Sequence, residues 1–227
     1  MSKHPIHSTP LNSGNSRSVA SSQSILHPDL EKLVKKYQST HFNKPIAYHN
    51  QQAFELLRER LNQYDSKLIF DSGCGVGDST NYLAMQYPDH LVVGIDRSED
   101  RLTKQRPPLP SNALLARSDL VDFWRLATSA NIRLSHHFLL YPNPYPKANQ
   151  ISRRFYAHPV FPDFVKLGGR IEARSNWKLY LEELQLSLHL YGIKSSLKQL
   201  HVELPITAFE RKYHASGQPL WRLISES

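Results

Sequence analysis

The chain alternates short, wholly apolar runs with longer stretches in which apolar residues recur every three or four positions. Lys67-Leu68-Ile69-Phe70, Leu91-Val92-Val93-Gly94-Ile95, Ala113-Leu114-Leu115-Ala116 and Phe138-Leu139-Leu140 are short and bounded by turn residues, the mark of buried strands. Between them, Ser79 to Tyr87, stopped by Pro88, and Leu120 to Ala127 carry helical spacing. Phe161 to Leu167 reads as a helix ended by Gly168-Gly169, as a left-handed C-terminal cap requires. Arg170-Ile171-Glu172-Ala173 supplies another strand, and Trp177 to Tyr191 a helix ended by Gly192; runs near Leu197 to Leu204 and Leu220 to Ile224 close the set. Repeated β-α units of this length predict an α/β fold: a seven-stranded, mostly parallel sheet with helices on both faces and ligands at the carboxyl ends of its strands.

Upstream the pattern changes. Leu30, Leu33, Val34 and Tyr37, then Ala53, Phe54, Leu57 and Leu61, recur at helical spacing and predict a helical extension over 28–66 that packs on a main domain of 67–227. Residues 1–27 are Ser-rich with few large apolar groups, too few to offset the entropy of ordering, so a disordered tail is expected. A net charge of +8 and a pI near 9.5 favour a polyanionic partner and make RNA a candidate. The one cysteine, Cys74, cannot form an intramolecular disulfide and reads as a packing residue. With neither a signal-peptide core nor a run of membrane-spanning length, the expected setting is the cytoplasm, without a membrane partner. His136 and His137 enter the fourth strand, one expected to face the sheet's covering and the other solvent, and no spacing suggests a metal site.

Two loops carry the candidate chemistry. Asp71-Ser72-Gly73-Cys74-Gly75-Val76-Gly77-Asp78 joins the first core strand to a helix, where glycines allow a tight turn and close approach of a ligand to backbone. A dinucleotide fingerprint starting at Gly73 would need its last glycine where Asp78 stands, and that acid opposes a pyrophosphate at the helix N-terminus. The P-loop lysine is missing as well. The second loop, Tyr141-Pro142-Asn143-Pro144-Tyr145-Pro146-Lys147, cannot continue a helix or an interior strand, because three prolines fix φ and remove donors. It is a stiff turn at a strand end that offers an amide, two aromatic rings and a cation.

The acid-x-Gly-x-Gly-x-Gly loop resembles motif I of the class I S-adenosylmethionine-dependent methyltransferases, whose Rossmann-like sheet matches the one predicted. The resemblance implies S-adenosylmethionine as cofactor, held by Asp71, Gly73 and Gly75, by Asp96 on the ribose hydroxyls and by Asp119 at the adenine amino group. The second loop narrows it to the TrmB-type tRNA (guanine-N7-)-methyltransferases: their P-D-P-W-P-K loop is similar to Pro142-Asn143-Pro144-Tyr145-Pro146-Lys147, followed by Arg153-Arg154. Their T-K-F-E corresponds to Thr207-Ala208-Phe209-Glu210, their T-D-x-x-x-Y to Ser175-Asn176 with Tyr180, and their closing G-x-x-V-W-D-L to Gly217 through Leu223. The similarity runs from about Lys67 to the end. It implies Asn143 as the catalytic-loop residue, Lys147, Asn176, Thr207 and Glu210 as substrate contacts, Arg153 and Arg154 on RNA phosphates, and a monomer or homodimer acting on tRNA or another RNA.

Two family aspartates are asparagines here, Asn143 and Asn176, and the basic run after Lys147 has thinned. Asn143-Pro144-Tyr145 also resembles the N-P-P-Y loop of methyltransferases acting on exocyclic amino nitrogens. Two alternatives therefore stand beside tRNA guanine N7: an amine or small-molecule substrate, and a non-catalytic RNA-binding relative.

Overall fold

The computed structural model describes residues 14–62, 67–104 and 106–226. Its elements are α1 (Leu30–Gln38), α2 (Tyr48–Leu61), β1 (Lys67–Ser72), α3 (Asp78–Gln86), β2 (His90–Asp96), α4 (Glu99–Leu102), β3 (Ala113–Arg117), α5 (Leu120–Ser129), β4 (His136–Leu140), α6 (Phe161–Leu167), β5 (Arg170–Ser175), α7 (Lys178–Leu190), β6 (Ser195–Leu200), α8 (Ala208–Ala215) and β7 (Leu220–Ser225). Two 3-10 turns, Ala148–Arg153 and Phe155–Ala157, follow the proline loop. The strands form one seven-stranded sheet in the order β3-β2-β1-β4-β5-β7-β6. β1 to β5 run parallel, and β7 inserts antiparallel between β5 and β6.

Strand alternation sorts the apolar residues onto two faces. Leu68 and Phe70 of β1, Leu91, Val93 and Ile95 of β2 and Leu139 of β4 face one core, which α1, α2, α5, α6 and α7 cover. Ile69, Val92, Phe138 and Leu140 point the other way, toward Leu83 and Ala84 of α3 and Tyr213 of α8. His137 lies on the first face, fully buried among Phe70, Trp124 and Phe164, while His136 is half-buried on the second against Tyr87 and Phe138. The two predicted helices of the extension pack onto the first face through Leu30, Val34, Phe54 and Leu57.

Two features depart from the sequence expectation. The segment 14–27, expected to be disordered, is an irregular strap fastened by side-chain hydrogen bonds to distant residues, a kind of order that leaves no hydrophobic periodicity; residues 1–13 of that expected tail lie outside the described residues. α8 was not foreseen, because Phe209 and Tyr213 are its only large apolar residues among charged neighbours.

Candidate active site

Every candidate loop lies at the carboxyl ends of β1 to β5. The first turns sharply through Gly73, Gly75 and Gly77, whose φ angles of 82°, 61° and 86° favour glycine. It folds back over β2: Gly73 and Cys74 N–H donate to Ile95 O at 2.8 and 3.0 Å, and Gly75 N–H donates to Asp96 Oδ2 at 3.0 Å. A Cβ at Gly75 would meet nothing within 4 Å, and one at Gly73 only a Leu120 methyl at 4.0 Å, so space opens above the loop. Asp96 is held from its other side by Ser98 N–H at 2.8 Å, with the Arg101 guanidinium 3.5 Å away. Asp119 caps α5 by accepting from Val121 N–H at 2.9 Å. Its backbone N–H donates to Asn50 Oδ1 at 3.0 Å, so the N-terminal extension fixes this turn.

Asp71, expected beside the cofactor, lies beneath the loop. Its Oδ2 accepts from Ser79 Oγ and Thr80 Oγ1 at 2.6 and 2.7 Å, its Oδ1 is buried without a partner, and burial pushes the carboxyl up to about 6. Its part is to fasten the loop to α3.

The second loop holds two tyrosines in the left-handed region, Tyr141 (φ 53°) and Tyr145 (φ 44°), each costing about 1–3 kcal/mol of backbone strain. Buried charges hold both. Tyr141 Oη donates to Glu210 Oε1 at 2.7 Å, and the same carboxylate accepts from Arg174 Nη1 at 2.9 Å and Ile206 N–H at 2.7 Å. Tyr145 O accepts from Arg154 Nε at 3.1 Å, and Arg154 Nη1 is 2.5 Å from Glu183 Oε2.

These contacts revise four assignments. Arg154 cannot meet RNA phosphate: it is fully buried, paired with Glu183 and packed on the Trp177 ring at 5.0 Å. Glu210 is fully buried as an anchor for Tyr141, and Thr207 caps α8 by accepting from Glu210 N–H at 2.9 Å, so neither faces a substrate. Asn176 donates from its amide to Gln218 Oε1 at 2.8 Å and lies outside the cavity lining. Asn143 and Lys147 are exposed, with Asn143 Oδ1 accepting from Tyr145 N–H at 3.3 Å.

One cavity of about 700 Å³ joins the two loops. Ser72, Gly73, Asp96 and Asp119 line one end; Asn143, Tyr145 and Arg153 line the other, with Phe209 and Tyr213 of α8. The cavity thus gathers Gly73, Asp96, Asp119, Asn143 and Arg153 of the expected site, while Asp71, Gly75, Lys147, Arg154, Asn176, Thr207 and Glu210 lie outside its lining. Phe209 and Tyr213, one helical turn apart and stacked with centroids 6.0 Å apart, were not singled out in sequence, though Phe209 sits inside the Thr207–Glu210 element. Arg97 and Arg101 at the cofactor end were also missed. The donor set suits S-adenosylmethionine: two carboxylates for hydroxyl and amino donors and an open glycine turn.

Comparison with known proteins agrees with this geometry. A methyltransferase family model matches residues 65–223. A tRNA (guanine-N(7)-)-methyltransferase of Lysinibacillus sphaericus is 26% identical over 183 residues, covering 71% of this chain and 81% of the relative. The enzyme of the same description from Zymomonas mobilis is 26% identical over 171 residues, covering 69% and 73%. Among solved structures, an antibiotic-related methyltransferase superposes with a TM-score of 0.57 at 15% identity, covering 76% of this chain and 93% of that one. The 16S rRNA methyltransferase KamB gives 0.55 at 19% identity, covering 81% and 95%; both likenesses are of fold.

Proposed function

The chain belongs to the TrmB-type family of S-adenosylmethionine-dependent methyltransferases, as a divergent member, and on that premise we propose that it methylates N7 of a guanine in tRNA. The observation that carries this reading is the single cavity in which Asp96 and Asp119 share walls with Asn143, Tyr145 and Arg153. In this reading Gly73, Gly75, Asp96 and Asp119 hold the cofactor, Asn143 and Tyr145 hold the base, and Arg153 and Lys147 meet phosphate. The described residues contain no helix long and apolar enough to cross a membrane, and the proposed setting is the cytoplasm.

S-adenosylmethionine supplies an electrophilic methyl group. Guanine N7 is an unprotonated lone pair, so the protein has no proton to remove; its residues need to align the ring and exclude water. Leu139, Phe209 and Tyr213 give the cavity apolar wall, and Tyr145 and Arg153 form a ring and cation pair 5.8 Å apart at its rim. The asparagine at position 143 supports a ring nitrogen over an exocyclic amine. Its oxygen accepts from Tyr145 N–H, which leaves the amide donors for the substrate. A donor suits guanine O6, an acceptor, and leaves the N7 lone pair free to attack the methyl group, whereas a target amine would need the oxygen.

The RNA part of the reading is tested by tRNA binding at several salt concentrations. Replacing Lys147 and Arg153 together with alanine should weaken binding and reduce the slope of log affinity against log salt by about 2, one for each cation removed from a phosphate. Equal affinity with an unchanged slope would exclude this rim as the RNA site.

A further inference from the structure

The strap 14–27 has no role in the reading above, yet its long-range hydrogen bonds are unevenly distributed. At one end Gly14 N–H donates to Ala215 O at 3.0 Å, Ser16 N–H to Ser216 Oγ at 3.0 Å, and Gln218 Nε2 to Ser16 O at 3.0 Å, all at the C-terminal end of α8. A Cβ on Gly14 would stand 2.6 Å from Ser216 N and 2.7 Å from Ala215 C, so the strap lies directly on that backbone. At the other end Ser21 Oγ donates to Pro146 O at 2.6 Å, inside the proline loop. Gln23 then inserts into the buried ion pair: its Oε1 accepts from Arg154 Nη2 at 2.9 Å and its Nε2 donates to Glu183 Oε1 at 2.6 Å. His27 N–H donates to the same Glu183 oxygen at 2.7 Å. Among the described residues, no strap hydrogen bond reaches the glycine loop.

We propose that residues 14–27 are a cross-tie that holds the proline loop and α8 at a fixed separation, with Ser21 and Gln23 as positioning residues for methyl transfer. Two physical facts carry this. Arg154 holds Tyr145 in its unfavourable backbone conformation, and a fully buried guanidinium keeps its geometry only when its donors are satisfied. Gln23 supplies an acceptor to Arg154 and a donor to Glu183 at once. The strap is fastened by polar groups, with Ile25 left 73% exposed, so hydrophobic burial at that residue does not explain its course. The two elements it joins, α8 and the proline loop, form the base end of the cavity. The cofactor end stands on β1, β2 and α5 and is built without it.

This inference rests on the methyltransferase reading for its kinetic arm only. Hydrogen–deuterium exchange of the full chain should show residues 141–157 exchanging at least about tenfold faster in Gln23→Ala, which removes hydrogen bonds to both charged groups of the ion pair, with residues 67–78 unchanged. Ser21→Ala, which leaves the buried ion pair intact, should loosen the same segment, and Ser21→Thr should restore it. On tRNA, Gln23→Ala should lower kcat by a similar factor while calorimetry gives an S-adenosylmethionine Kd within about twofold of the parent. Unchanged exchange over 141–157 in both alanine variants would overturn the cross-tie. So would cofactor affinity falling in step with kcat, the mark of a general folding defect. If the parent transfers no methyl to RNA, the substrate assignment fails and exchange alone decides the cross-tie.

Discussion

His137 is a histidine that the fold keeps neutral. Its ring lies 4.2 Å from that of Phe164 and 5.6 Å from that of Trp124, its Nε2 is 2.9 Å from Ser72 Oγ, and burial pushes its pKa down to about 3. A depressed pKa means that this contribution to stability is present above about 6.5, the unfolded value, and is lost as pH falls toward 3, at about 1.4 kcal/mol per pH unit. Asp71 opposes it: its raised pKa gives stability that is present below 3.8 and lost as pH rises through about 6. The comparison of parent with His137→Phe isolates the histidine. At pH 7.5 the variant should be less stable in urea by about 1 kcal/mol, since the hydrogen bond to Ser72 is gone, and the order should reverse by pH 5. A difference that does not change with pH would show that His137 is not held neutral. The alternation of strand residues predicts that His136 and His137 face opposite ways, but not which of them turns inward or that His136 too is half-buried. The division between Arg153 and Arg154 was not legible, because what draws Arg154 inward is Glu183, 29 positions away on α7.

Helix α8 shows how a matched motif can be anchored differently from the way its residue types suggest. Thr207 and Glu210 offer the hydroxyl and carboxylate expected of base contacts, but one caps the helix and the other neutralises Arg174 while fixing Tyr141. Glu210→Ala should therefore cost about 1–3 kcal/mol of stability, since it leaves the Tyr141 hydroxyl and Ile206 N–H without their acceptor while Arg174 keeps Glu172 at 2.6 Å, and Thr207→Ala about 1 kcal/mol, the value of an N-cap. Urea unfolding checks both. If instead Glu210→Ala folds as stably as the parent and only substrate affinity falls, Glu210 is a base contact after all. The strands and their turns were readable because burial on one or both faces imposes a pattern on adjacent residues. α8 and the strap were not, since α8 carries little apolar periodicity and the strap is held by hydrogen bonds between residues 125 to 202 positions apart.

The molecule divides its tasks across the sheet. The central strands place a glycine turn and two acids on one side of the cavity, and the chain after β4 builds the other side from the proline loop and α8, which the N-terminal strap ties together. The first side was legible, because tight turns and strand-end acids leave local signatures, and Gly73, Asp96 and Asp119 line the cavity. The second was legible in its loop and not in its partners, which meet only in three dimensions. Asn143 is where the two halves bear on the chemistry: its carbonyl turns into the loop and its amide donors remain for a base. The most direct test is transfer of labelled methyl from S-adenosylmethionine into RNA, followed by digestion to nucleosides. The label should appear in tRNA as 7-methylguanosine. Label on an exocyclic amino group would make Asn143 the reader of an amine and contradict the assignment to guanine N7, and the absence of transfer to any RNA would contradict the enzyme's proposed substrate class.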